Sequence, residues 1–399
     1  MAEKNTTALK KGKATFNLIG KAKVNDYTFD LDHTYDSGWT SNIMNIGIDC
    51  GNGNIVFVEM SSGYFPNKEN KINVHGVKQD ENNKTVDDYD NKFTIDWEDR
   101  NDKDILETIA RGDFITVGIE KDEKGNTFYK SFITAYDAVE YLNEHLTDET
   151  VVNVKGNIIY ETDGERVYIK KKITSFVLSK CEPDKYKATF TQTILLDDGS
   201  IGKPDKTKNT IPVSAYVIDY IGKPKINGKK IEVKQNFTIP VTYELEINEN
   251  PELTARQIAK LYKAKKNEII EITVEGNLVE GVNITADDIP DDIKELIELD
   301  LYTEEEALAK CAVGNTSKEK RMIITKPAIT YVGEGETRKP TASRDTKKYK
   351  PNDLSFFEAY LATLNLDDAE AEETTDDTGV TTDTEDEDDD LLNLLNDLA

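Results

Sequence analysis

The residues from Val167 to Phe176 carry the strongest chemical pattern in the sequence. Read with the period of two that a β-strand imposes, Tyr168, Lys170, Lys172, Thr174 and Phe176 share one face, and Val167, Ile169, Lys171 and Ile173 share the other. The first face alternates aromatic rings with ammonium groups. An unstacked nucleic acid needs both: π-faces for its bases and cations for its phosphates. Lys155 and Tyr160 before this stretch, and Lys185 and Lys187 after it, extend the candidate nucleic-acid-binding set. The competing reading is a half-buried strand whose Tyr and Phe simply pack.

Other residues offer less. The histidines are His33, His75 and His145, and no two have metal-ligand spacing. Asp30, Asp32, His33 and Asp36 cluster in one loop that could hold a hard cation, but no structural frame for one is implied and a solvated turn is the better account. Asp88-x-Asp90 begins like a calcium loop, yet Lys92 stands at a ligand position and the required Gly is missing. Gly51-Asn52-Gly53 lacks the Lys-Ser/Thr of a phosphate loop and reads as a hairpin turn. With no nucleophile elbow and no Cys/His pairing, the expectation is a binding protein with no metal and no cofactor, not an enzyme.

Composition bounds the setting. Cys50, Cys181 and Cys311 form no CxxC pair and suit a reducing, cytoplasmic compartment. The N-terminal stretch MAEKNTTALKKGKATF has no apolar h-region and is not expected to be a secretory signal, and no run of 18 apolar residues suggests a membrane span. The net charge of −27 is segregated: residues 367–399 hold 15 acidic and no basic residues. Residues 151–235 carry 16 Lys/Arg against 10 Asp/Glu, and residues 318–350 carry 10 against 4. An acidic total therefore coexists with a basic middle that could meet a polyanion.

Positioning these residues is a chain rich in strands. Apolar runs alternate with turn signals at 49–54, Asn82-Asn83 and Lys124-Gly125-Asn126, and short helices are expected from Asp102, from Asp137, from Thr254, and as a pair from Pro290 and Thr303. Phe16 to Gly20, Val152 to Gly156 and Ile272 to Gly276 each end an alternating strand in Gly, which suggests bends of small barrels. The expected class is mainly β (α+β), with OB-like curved β-barrel domains and short appended helices. The expected division is 1–149, 150–350 with helical insertions, and a linker and tail over 351–399.

The tail AEAEETTDDTGVTTDTEDEDDD cannot bury enough apolar surface to offset its ordering entropy and is expected to be disordered. It ends in an apolar tip in which Leu391, Leu394, Leu395 and Leu398 fall on one helical face beside Leu392. This acidic run with an apolar end resembles the C-termini of bacterial and bacteriophage single-stranded-DNA-binding proteins. The resemblance implies a tail that competes with DNA and docks replication or recombination proteins, through Asp388, Asp389 and Asp390 and through Leu391, Leu392, Leu394, Leu395 and Leu398. Those tails commonly end in an aromatic residue, whereas this one ends Asp397-Leu398-Ala399. The Val-x-Gly-Asn strand with its basic hairpin likewise resembles large phage proteins of the OB-barrel type. The expectation is sequence-tolerant binding and protection of single-stranded DNA in the cytoplasm of a phage-infected host. A phage virion structural or assembly protein is the alternative, and an acidic adaptor is a third.

Overall fold

The computed structural model describes residues 9–163, 166–222, 225–226, 229–230, 233–281, 291–299, 301, 303, 319–333 and 337–354. The chain is mainly β, built as two five-stranded barrels joined edge to edge. The first opens with β1 (Ala14–Lys23), β2 (Phe29–Thr34), β3 (Thr40–Asp49) and β4 (Ile55–Tyr64). An inserted lobe follows, containing β5 (Lys71–Gln79), β6 (Thr85–Asp96) and α1 (Lys103–Leu106). The chain returns through β7 (Ile115–Lys121), β8 (Thr127–Phe132) and α2 (Ala135–His145) to β9 (Val151–Asp163) and β10 (Arg166–Leu178). The ladders β1–β3, β3–β4, β4–β10, β10–β9 and β9–β1 close a circle, with the β4–β10 junction parallel.

The second barrel repeats this plan. It uses β11 (Lys187–Leu196), β12 (Thr210–Ile221), the short β13 (Lys225–Ile226) and β14 (Lys229–Lys230), and β15 (Gln235–Glu246). After α3 (Pro251–Gln257) come β16 (Ile270–Gly281), α4 (Asp291–Glu298) and β17 (Glu319–Pro327). Its circle runs β11–β12–β15–β17–β16–β11, again with one parallel junction, β15–β17. A hairpin of β18 (Ile329–Val332) and β19 (Lys339–Ala342), the short β20 (Arg344–Asp345) and a 3-10 turn at Pro351–Asp353 complete the described chain. Strand order, parallel closure and a helix before the fourth strand of each barrel are those of the OB fold, so the expected OB-like, mainly β class holds.

The sequence explains why these strands curl. In β1, Ala14, Phe16 and Leu18 are buried while Thr15 is exposed and Asn17 half-buried, an alternation that gives the strand one wet face and one dry face. Gly156 and Gly276 sit where β9 and β16 bend. A Cβ on Gly156 would lie 1.9 Å from the Lys172 carbonyl oxygen, and one on Gly276 would lie 2.0 Å from that of Ile323. Beside each glycine the partner strand is bulged, at Thr174 and at Thr325. The two threonine hydroxyls donate to equivalent carbonyls, of Lys155 at 3.4 Å and Glu275 at 3.2 Å. Two of the three Gly-ended strands of the sequence are thus equivalent positions in a duplicated unit. Gly20 lies elsewhere, pressed against the Asp49 carbonyl.

The duplication corrects the expected boundary at 149/150. β9 and β10, placed in the second domain by the sequence, complete the first barrel, and the second begins at β11. Position along the chain misled because the fourth and fifth strands are separated from the first three by the inserted lobe. That lobe has its own small core of Val74, Ile95 and Ile109, against which Ile133, between β8 and α2, packs. Two helix starts also differ: α2 is capped by Thr134, whose hydroxyl accepts from the Asp137 amide, and α3 by Asn250 with Pro251 in its first turn. The Asp102 cap is as expected. The helix expected from Thr303 lies almost wholly outside the described residues.

Candidate nucleic-acid interface

The outer wall of the first barrel, where β4 and β10 run side by side, gathers two exposed aromatic rings and two ammonium groups. Lys172 of β10 is level with Glu59 of β4, and Phe57 precedes Glu59 by two residues as Lys170 precedes Lys172 on the parallel neighbour. Phe57 is 52% exposed and Tyr168 45%. Phe57 stands outward because Val56, Val58 and Met60 turn into the barrel. Its ring lies beside Gly47, opposite it in the β3–β4 ladder, where a Cβ would come within 3.4 Å of the ring. Sequence reading passed over Phe57 as part of an apolar run; the alternation around it marked it as outward.

The wall is pinned from beneath. β4 and β10 share a single ladder position, and next to it the carboxylate of Glu280, from the second barrel, is inserted between them. Glu280 pairs with the Lys171 ammonium, and both side chains are more than nine-tenths buried. Its other oxygen accepts the Phe57 amide at 3.1 Å, and its own amide donates to Asn54 at 2.8 Å. Lys171 points inward between Lys170 and Lys172, so the pair fixes the backbone that presents both outward cations.

Electrostatically the wall is mixed. Lys170 donates to Glu161 across the β9–β10 hairpin at 2.7 Å. Burial alone would lower its pKa, but the hydrogen bond and charge of Glu161, with Glu59, outweigh that and hold the ammonium above its ordinary range. Lys172 faces Asn157 across the same hairpin. The surface continues over β9 and β1 to a groove of about 280 Å3 lined by Thr15, Asn17, Lys155, Asn157, Thr189 and Thr191, with Lys155 its one cation.

The structure therefore divides the residues expected at this site. Tyr168, Lys170 and Lys172 lie together on the wall, and Lys155 lies in the adjoining groove. Lys185 and Lys187 are exposed at the junction of the barrels, in a 3-10 turn and at the start of β11. Phe176 is fully buried: the bulge at Thr174 inserts one extra residue, reverses the alternation and turns the ring into the core with Ile173. Ile169, expected inward, is 38% exposed, because this end of the β9–β10 hairpin extends past the barrel. Tyr160 is also buried. Its hydroxyl reaches into the second barrel to Gln192 at 3.0 Å and Tyr243 at 3.1 Å, and its amide donates to Asp219 at 3.0 Å. Burial holds its phenol well above the ordinary tyrosine range. The tail positions, Asp388 to Asp390 and the leucines of 391–398, lie outside the described residues.

The second barrel lacks this arrangement. By register, Phe57, Lys170 and Lys172 correspond to Thr242, Arg321 and Ile323, because Glu244 pairs with Ile323 as Glu59 pairs with Lys172. Arg321 is held by Glu244 through its Nε at 2.8 Å. Among the described residues no group of three or more His, Cys, Asp or Glu is placed to hold a metal ion, and no helix is long and apolar enough to cross a membrane.

No protein-family model and no curated protein matches the chain. Among solved structures it is similar to the wild-type single-stranded DNA binding protein from Thermus aquaticus, at 10% sequence identity and a TM-score of 0.29, with 83% of this chain and 100% of that chain covered.

Proposed function

We propose that this chain is a non-enzymatic, sequence-tolerant single-stranded-DNA-binding protein that uses the outer wall of its first barrel. The observation that carries the reading is the side-by-side placement of exposed Phe57 and Tyr168 with Lys170 and Lys172 on the β4–β10 face. In OB barrels the face of the second and third strands and the loop joining the fourth and fifth contribute to the oligonucleotide surface; here Phe57 lies on the third strand, β4, and Tyr168 and Lys170 lie in the β9–β10 hairpin. Exposed rings stack on bases without regard to sequence, and the lysines, with Lys155 in the adjoining groove, neutralise phosphates. The setting we propose is phage DNA replication or recombination in the host cytoplasm. There the acidic tail competes with DNA for the basic surface, and its leucine tip recruits partner proteins.

The test is anisotropy of labelled dT oligonucleotides and of duplex DNA at several salt concentrations. Single strands should bind more tightly, with a log–log salt slope near −0.7 per phosphate neutralised. Truncation after Leu366 should raise affinity most at low salt, where screening is weakest. Absence of binding at low salt by the truncated chain would overturn the reading.

A further inference from the structure

The chain has two tryptophans, Trp39 and Trp97, and both line one cleft. It lies where the inserted lobe meets the first barrel, and its volume of about 380 Å3 falls at the small-ligand end of binding pockets. We infer that this cleft is a base subsite that takes one unstacked nucleobase. The inference rests on the strand-binding reading above and names a second place where the strand is held.

Placement comes first. Ser62 and Gly63, at the end of β4, form one side of the cleft. Gly63 lies six steps along β4 from Phe57, about 20 Å at the usual rise per strand residue. Trp39 immediately precedes β3, whose Thr40 pairs with Tyr64 of β4. The cleft thus stands at the far end of the ladder that carries the wall, within reach of a strand lying along it.

The chemistry agrees. Trp97 is the buried, rigid back wall of the cleft, 7% exposed: its ring stacks on Tyr64 at 5.2 Å, Tyr136 meets it edge-on at 5.7 Å, and the Arg100 guanidinium lies 4.6 Å from its centre. Arg100 is itself held by Asp137 at 3.0 Å. Trp39 is half-buried, and its ring partner among the described residues is Phe65, edge-to-face at 4.9 Å, so ring surface remains toward the cleft. The Trp39 ring, backed by this rigid wall, is the surface that accepts the π-face of any base. The Ser62 hydroxyl, the Lys71 ammonium and the Glu69 carboxylate line the same cleft and supply donors and acceptors for a base edge. Lys71 is oriented by Glu69 at 2.7 Å and Asp96 at 2.6 Å.

Because both tryptophans line the cleft, emission from the full chain reports on it directly. A dT oligonucleotide should quench the emission with the midpoint found by anisotropy of a labelled copy. Trp39→Phe should remove most of the quench. Trp39→Ala should weaken oligonucleotide binding by about tenfold, the equivalent of one lost stack. Ser62→Leu, which fills the cleft from β4, should abolish the quench in a chain whose circular dichroism is unchanged. Thymidine monophosphate is titrated in parallel: quenching by it shows that the subsite accepts a free nucleotide, and quenching by the oligonucleotide alone shows that the strand must deliver the base. If the labelled oligonucleotide binds while emission stays constant and Ser62→Leu leaves affinity unchanged, the cleft is not a base subsite, although the wall still binds DNA. If the oligonucleotide does not bind at any salt, the strand-binding reading itself fails.

Discussion

Phe16 of β1 stands directly opposite Phe190 of β11, and each ring fills the space beneath a glycine of its own barrel, Gly156 or Gly276. In both barrels a Cβ added at the glycine would lie 2.7 Å from the ring, as well as against a backbone carbonyl. Gly156→Ala and Gly276→Ala should therefore each destabilise the fold by about 3 kcal/mol, the upper end for overpacking, since a carbonyl cannot swing away as a side chain can. Gly199→Ala, whose Cβ would meet only a carboxylate oxygen at 3.7 Å, is the control expected to cost little. Urea midpoints compare the three. Unchanged midpoints at Gly156 and Gly276 would show that the strands can part there without cost.

The Lys171–Glu280 pair ties the barrels together and offers a separate test. Lys171→Met leaves a carboxylate buried with only the Phe57 amide to balance it, at a cost of about 3–5 kcal/mol. Adding Glu280→Gln removes that charge yet keeps an oxygen for the Phe57 amide, so the double variant should recover much of the loss. A double-mutant cycle in urea measures the coupling, and additive losses would mean that the pair is solvated.

Much of this architecture was legible in the sequence, and the failures have physical causes. Alternation identified the strands, and glycine marked the bends, because both follow from local rules. The barrel boundary did not follow, because β9 closes onto β1 across an inserted lobe that the sequence does not label as separate. Lys170 and Lys172 face outward as the alternation implies, because Lys171 and Ile173 between and beyond them turn inward, and Tyr168 is exposed at the end of the hairpin where Ile169 is exposed as well. Phe176 was misplaced by one bulged residue, which no period-two reading anticipates. Tyr160 was misplaced because its partners, Gln192 and Tyr243, belong to the other barrel.

Acid should weaken the second barrel through Glu244. The Arg321 guanidinium beside it holds its carboxyl below the usual range, and this outweighs the opposing effect of burial. A carboxylate with a depressed folded pKa contributes stability that is present above its unfolded pKa, about 4.3, and lost as pH falls through the lower folded value. Glu244→Gln should cost about 1–3 kcal/mol near neutrality, the scale of a lost charge-assisted hydrogen bond. The gap between wild type and variant should stay constant above about pH 5 and close below about pH 4. A gap that widens in acid would contradict the assignment.

The two barrels differ where binding is proposed, and the difference makes the function testable within one chain. Phe57→Ala and Tyr168→Ala should each weaken single-stranded DNA binding by about 1–3 kcal/mol, because each removes an exposed ring on which a base can stack. Neither ring is in the core, so urea midpoints should hold. Lys172→Ala should mainly reduce the salt slope, by about 0.7 if it neutralises one phosphate. Thr242→Ala, at the position matching Phe57, should leave affinity unchanged, since no ring is lost there. Phe176→Ala should do the reverse of Phe57→Ala: it empties a fully buried site and should cost about 3–5 kcal/mol of stability, while the folded fraction keeps its affinity. Anisotropy and urea unfolding on the same five variants give both axes. Equal affinity losses at Phe57 and Thr242 would mean that the first wall has no special role, and a stability loss at Phe57 without an affinity loss would make its ring ordinary packing.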